Sequence, residues 1–142
     1  MAAYGGAYST AATNIAMATP GTQYVVFPET PMPLSNMTYF LGRVGVSQAG
    51  DYEIIYDVRG VPAATGTMTL TVQDNGVAIP ATVITHAVTA GAQTAFSGDA
   101  IVPLLPGDAI GLAVSSSVAN ALQISPNVGV TLTLKKLDAP VV

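Results

Sequence analysis

Residues 67–79 read Thr-Met-Thr-Leu-Thr-Val-Gln-Asp-Asn-Gly-Val-Ala-Ile. The first six alternate strictly: Met68, Leu70 and Val72 fall on one face, and Thr67, Thr69 and Thr71 on the other. That period of two belongs to a half-buried β-strand. The stretch runs into Asp74-Asn75-Gly76, and Asn-Gly is the strongest short hairpin signal, because a type I′ turn needs positive φ at both central residues. Val77 to Ile79 begins the return, and Pro80 stops it.

The same alternation recurs on both sides of this hairpin. Tyr52, Ile54, Tyr56 and Val58 share one face of a strand whose other face carries Glu53, Ile55, Asp57 and Arg59. Near the C-terminus Val128, Val130, Leu132 and Leu134 stand opposite Gly129, Thr131, Thr133 and Lys135. Further strands are predicted at Tyr4–Tyr8, Gln23–Phe27, Thr38–Val46, Ala81–Val88, Thr94–Leu104 and Ala109–Ser115. Turn residues separate them at Gln48-Ala49-Gly50-Asp51, Gly60-Val61-Pro62, Ala90-Gly91 and Pro106-Gly107-Asp108. Ser115 to Leu122 is the one helix candidate, and its serine triplet and Val118 read better as a loop. Nine or ten short strands with regular turns define an all-β sandwich or barrel.

The chain has 142 residues, enough for one domain with a full hydrophobic core. No internal repeat or linker divides it, so residues 1–142 read as a single unit. Only 8% of residues are charged while 50% are hydrophobic, a balance that points to a surface partly hidden in an oligomer. Four Lys and Arg cannot track a phosphate backbone, which excludes nucleic acid as a partner. The uncharged run from Ala109 to Leu134 is broken by Ser115-Ser116-Ser117, Asn120, Gln123 and Ser125-Pro126-Asn127, so it is no membrane span. No basic residue precedes a hydrophobic stretch at the N-terminus, as a signal peptide would require. With 6% aromatic residues the chain lacks the girdles of an outer-membrane barrel.

Chemistry is hard to place on this sequence. Cysteine is absent, which removes thiolate nucleophiles and cysteine-ligated zinc. His86 is the single histidine and shares the face of Ile84 and Val88, with no nucleophile motif to serve. Asp51 and Asp108 each follow a glycine at a turn, where a carboxylate caps backbone N–H groups. Glu53, Asp57 and Arg59 are expected to form an ion-pair cluster. No Asp-rich calcium loop, Gly-x-Ser-x-Gly elbow or glycine-rich phosphate loop is present. The reading is therefore of no catalytic residues, no cofactor and no metal. The small face of Gly129, Thr131 and Thr133, joined by Ile55 if the two strands are neighbours, is the candidate trimer interface. Asn36-Met37-Thr38 matches the N-glycosylation acceptor pattern.

Several segments taken together carry a resemblance. They are Ala3-Tyr4-Gly5 through Tyr8, Ala49-Gly50-Asp51-Tyr52-Glu53, Gly98 through Val102 with Leu104 and Gly107-Asp108, and Leu134-Lys135-Lys136-Leu137-Asp138. In this order they resemble the C-terminal head of BclA-like collagen-stalk glycoproteins of bacterial spore surfaces. That family is in turn similar to complement and tumour-necrosis-factor heads. The proline-rich stretch from Ala18 to Asn36 matches less well. The resemblance implies a ten-stranded, two-sheet jelly roll that forms a homotrimer about a threefold axis. It implies a structural, non-catalytic head at the tip of a surface filament on the spore exosporium, with a collagen-like stalk ahead of it and Met1 as an added start. A receptor- or glycan-binding adhesion module is the alternative, and a capsid or fibre protein a third reading.

The hairpin carries a direct test. Gly76→Val places a β-branched side chain at positive φ, at a cost of about 1–2 kcal/mol. The variant should melt several degrees below the parent by circular dichroism. An unchanged melting temperature would show that the turn is misassigned.

Overall fold

In the computed structural model, which describes residues 3–10, 12–126 and 129–137, the Tyr52 alternation builds the longest strand and the Met68 alternation its counterpart in a second sheet. In chain order the strands are β1 (Tyr4–Ser9), β2 (Thr13–Met17), β3 (Tyr24–Val26), β4 (Thr30–Pro31) and β5 (Met37–Phe40). Then come β6 (Arg43–Val46), β7 (Gly50–Pro62), β8 (Gly66–Asp74), β9 (Val77–Ala78) and β10 (Ile84–Val88). The last are β11 (Thr94–Leu104), β12 (Ala109–Ser116), β13 (Asn120–Ile124) and β14 (Val130–Lys136). One short 3-10 turn, Pro80–Thr82, lies between β9 and β10.

Fourteen segments make ten lines of strand. In the first sheet β11 pairs one edge of β7 from Gly50 to Gly60. The other edge of β7 takes β14 and then β13, in line. Beyond them lie β1 and β2, also in line, and finally β4. In the second sheet β9 and β10 share one edge of β8, and β12 holds the other. Next to β12 run β6 and β3 in line, with β5 outermost. Five lines in each antiparallel sheet give the ten-stranded, two-sheet jelly-roll sandwich expected of the chain.

Local differences have local causes. The expected strand Thr38–Val46 is a hairpin, β5 and β6, because Leu41 and Gly42 both take positive φ (48° and 77°). Asn75 and Gly76 do so as read, at 50° and 84°. The expected strand from Ala81 starts only at Ile84, since Pro80 opens the 3-10 turn instead. Gln23–Phe27 shortens to β3, while β2, β4 and β13 lack an alternation clear enough to announce them. The loop read at Ser115–Leu122 shrinks to residues 117–119. Val128, placed on the last strand from sequence, lies outside the described residues, as do Met1, Asn127 and Asp138. Among the described residues no helix is long and apolar enough to cross a membrane.

The inward faces meet as the alternation requires. Tyr52, Ile54, Tyr56, Val58, Leu132 and Leu134 of the first sheet pack toward Met68, Leu70, Val72, Ile110 and Leu112 of the second, all at most 2% exposed. Burying each large side chain contributes about 1.5–3 kcal/mol. One polar tie crosses this interior. The Tyr56 hydroxyl donates to the Thr82 carbonyl at 2.7 Å, and the Thr82 hydroxyl donates to the Ile79 carbonyl at 2.7 Å while accepting from the Val72 N–H at 2.9 Å. Gly98, paired with Tyr56, makes room for it: a Cβ there would stand 2.7 Å from the phenolic oxygen. A second tie is Asn120, whose side-chain oxygen accepts from the N–H groups of Ala63, Ala64 and Ala121 at 2.8–3.1 Å.

Removing the phenolic hydroxyl leaves the Thr82 carbonyl buried without its donor. Tyr56→Phe should therefore lower unfolding free energy by about 1–3 kcal/mol, seen as a lower denaturant midpoint at unchanged slope. A midpoint equal to the parent's would remove the tie from the account of stability.

Candidate functional site

The outward face of the first sheet is assembled by strand register. β14 lies directly beside β7, so Thr131 pairs with Asp57, Thr133 with Ile55 and Lys135 with Glu53. On the far side β11 sets Ser97 against Asp57, Asp99 against Ile55 and Ile101 against Glu53. On the near side β1 brings Tyr8 to Thr131, Gly6 to Thr133 and Tyr4 to Lys135. Ile55 therefore sits in the middle of a four-strand face, and it remains 47% exposed. Tyr4 (46%) and Ile101 (63%) add exposed apolar area on either flank.

Three of the four candidate interface residues thus share one surface: Ile55, Thr131 and Thr133. Gly129 does not join them. It is buried at the junction of β13 and β14, where its carbonyl accepts from the Arg59 N–H at 2.7 Å. A Cβ on Gly129 would come within 2.2 Å of the Ser125 carbonyl oxygen, so the missing side chain serves the chain's own backbone. The face also carries more charge than the small-residue row implies, because β11 contributes Asp99 and β7 contributes Glu53, Asp57 and Arg59. Of the expected three-residue ion cluster, the described residues show Arg59 Nε paired with Asp57 Oδ2 at 3.7 Å, while Glu53 stands in register with Lys135. Met32 reaches this face from the proline-rich segment and accepts a weak hydrogen bond from the Thr133 hydroxyl at 3.7 Å.

The remaining chemical candidates are held in structural roles. His86 is half-buried and packs its ring on Phe96, centroids 4.1 Å apart. Asp108 caps its turn as read: Oδ2 accepts from the Leu105 N–H at 2.9 Å. Asp51 is exposed and takes part through its backbone carbonyl, which accepts from the Leu137 N–H at 2.8 Å. Among the described residues no group of three His, Cys, Asp or Glu gathers as a metal site would. Asn36 of the glycosylation pattern is exposed at positive φ.

Two features escaped sequence reading. The first is an apolar prong. Phe40 (72% exposed) and Leu41 (62%) form the tip of the β5–β6 hairpin, with Phe27 (56%) packed on Gly42 beneath them. The Tyr39 hydroxyl braces this hairpin by donating to the Pro28 carbonyl at 2.6 Å. Positive φ at a leucine is strained, and only the order Leu-Gly hinted at it. The second is a pair of carboxyls at one end of the sandwich. Burial, then a hydrogen bond and repulsion from Asp108, push the Asp74 carboxyl up to about 6.

Comparison with known structures bears on the fold. No protein-family model matches the chain, and no curated protein matches it by sequence. Solved structures do match by fold. The chain is similar to Eiger TNF from S. frugiperda (TM-score 0.62, 17% identity, 99% of this chain and 94% of that one). It is similar to murine APRIL at pH 5.0 (TM-score 0.65, 17% identity, 96% and 100%) and at pH 8.0 (0.60, 15%, 96% and 100%). The fold is the two-sheet jelly roll of the tumour-necrosis-factor-like kind.

The raised Asp74 carboxyl sets a pH dependence of stability. Because its folded pKa lies above the ordinary value of 3.8, folding favours the protonated form, and this contribution is lost as pH rises from about 4 to about 6. Asp74→Asn should leave stability near pH 4 unchanged and raise the melting temperature near pH 7.5 by about 3 °C, on the order of 1 kcal/mol. An equal shift at both pH values in thermal scans would rule out this linkage.

Proposed function

We propose that the chain is a non-catalytic head that assembles as a homotrimer through the outward face of its first sheet. The observation that carries this reading is Ile55, a large apolar side chain half exposed at the centre of a broad sheet face with Thr131 and Thr133 beside it. A second copy covering that face would remove apolar area from water at about 25 cal/mol per Å² before association costs. The mixed charges around it, Glu53, Asp57 and Asp99 against Arg59 and Lys135, are suited to pairing between copies and to setting their register. A cyclic arrangement of three chains satisfies the same face on each of them at once. The tumour-necrosis-factor-like fold supports this, together with the resemblance to collagen-stalk spore-surface heads. From that resemblance we also take the setting: the tip of a filament on the outside of a spore, at the exosporium. The non-catalytic reading is supported by the packing of His86 against Phe96, away from any nucleophile motif.

A second reading has its own observation. The prong of Phe40, Leu41 and Phe27 is exposed, braced by Tyr39 and carried by the other sheet from Ile55, as a contact for a protein receptor would be. It offers few hydrogen-bonding groups for a glycan.

Size-exclusion chromatography with light scattering tests the assembly. The expected mass is about three times the 14.3 kDa chain at micromolar concentration. Thr131→Arg, which brings three cations together near the common axis, should weaken assembly roughly tenfold or more, while Thr85→Arg on the second sheet's outer face should leave it intact. A 14.3 kDa species for the parent protein would overturn the trimer and the structural role built on it.

A further inference from the structure

The first sheet is broken twice at one level. β1 ends at Ser9 and β2 begins at Thr13, while β13 ends at Ile124 and β14 begins at Val130. Ser9 pairs with Val130 and Thr13 with Ile124, so the two breaks lie side by side on adjacent lines of the ladder. Against β7, the pairing steps from Ile124–Gly60 to Val130–Val58. Matched breaks of this kind interrupt the wall of a sandwich without ending it, and such irregularities cluster beside ligand sites. Here the sheets part over a cleft of about 470 Å³, walled on the other side by β3.

The walls of the cleft specify what it accepts. Its floor is Val26, Ile124 and Val130, each at most 2% exposed, with Ile15 packed beside them. Its rim carries hydroxyls and amides from Thr13, Asn14 and Gln23, while Ser9 is buried with the floor. Among the described residues no Lys, Arg, His, Asp or Glu lines it, so a charged ligand would shed water for no compensating partner. The mouth is pre-set: the Tyr24 hydroxyl accepts from the Thr19 N–H at 3.0 Å, and the Gln23 amide is bonded to Gln73. The volume falls within the roughly 300–1,000 Å³ of small-molecule sites, toward the lower end.

We propose that this cleft binds an uncharged, largely apolar small molecule, the size of two or three fused rings, bearing one or two hydroxyl or carbonyl groups. The floor takes the rings, and the rim takes the polar groups. The site does not depend on the trimer, since none of its residues lies among Ile55, Thr131 and Thr133.

The neutral fluorophore N-phenyl-1-naphthylamine is the probe. With the intact 142-residue chain its emission should rise saturably, at one probe per chain and micromolar affinity, and it should raise the melting temperature. Ile15→Trp and Thr13→Trp fill the cleft from its floor and from its exposed rim, and each should weaken binding at least tenfold. The double variant Phe40→Ser, Leu41→Asn, which strips the apolar prong, should bind as the parent does. The anionic analogue 8-anilinonaphthalene-1-sulfonate should bind at least tenfold more weakly. Non-saturable emission, parent-like binding in a folded Thr13→Trp variant, loss of binding with the prong, or equal affinity for the anion would each overturn the assignment.

Discussion

Tyr56 reaches across the sandwich to the Thr82 carbonyl, and much of the architecture is arranged so that it can. Its strand must be long enough to carry the phenol over the centre of the second sheet. Its neighbour in β11 must be Gly98, because any side chain there would occupy the space of the hydroxyl. Its acceptor must be presented by a segment that has left the sheet, which is what Pro80 achieves by turning the chain into a 3-10 turn between β9 and β10. Thr82 then passes the constraint onward to Val72 and Ile79. Burial also pushes the phenol further above its ordinary range, with Asp99 adding to the effect, so it stays a donor throughout the physiological range. An apolar interior would be satisfied by many relative positions of two sheets, whereas one buried hydrogen-bonded chain through both admits few.

The scarcity of charge acts on the outside in a comparable way. A protein with so few ionised groups must either expose apolar surface or cover it. Here the ions are not spread evenly: a mixed-sign group surrounds Ile55, and the described residues lining the β1–β3 cleft include none. Charge is thus concentrated where register between copies would matter and withheld where a neutral occupant would sit. The prong at Leu41 belongs to a third regime, apolar and fully outside, maintained against backbone strain by Phe27 and Tyr39.

How much of this could be read in advance depended on period and on residue type. The strands around Tyr52, Met68 and Leu132 were legible because one face of each is core and the other is not, and Asn75-Gly76 was legible because few other pairs tolerate its backbone. The neighbourhood of Ile55 with Thr131 and Thr133 was stated as a condition, and the register of β7 with β14 meets it. Gly129 was misplaced for a definite reason: alternation counts positions along an unbroken strand, and the strand breaks immediately before Val130. β2 and β13 were missed because Thr13-Asn14-Ile15-Ala16-Met17 has too little contrast between its faces. The cleft was out of reach altogether, since it is made by the coincidence of two breaks that no single stretch of sequence reveals. Asn120 looked like loop polarity because its three N–H donors come partly from residues almost sixty positions away.

Those same breaks divide the first sheet mechanically. Beyond Ser9 and Val130, β2 and β13 form a two-stranded panel whose ladder pairs with β7 are at Gly60, Val61 and Pro62. The panel is fastened at its far corner by Asn120 and along its inner face by the buried side chains of Met17, Leu122 and Ile124. In a sheet of uninterrupted strands, opening one end would strain the whole ladder. Here the breaks confine such an opening to the panel, and its cost is set by the core contacts of Met17, Leu122 and Ile124. The two breaks therefore divide the sheet into a longer part that carries Tyr56 and a shorter part that walls the cleft.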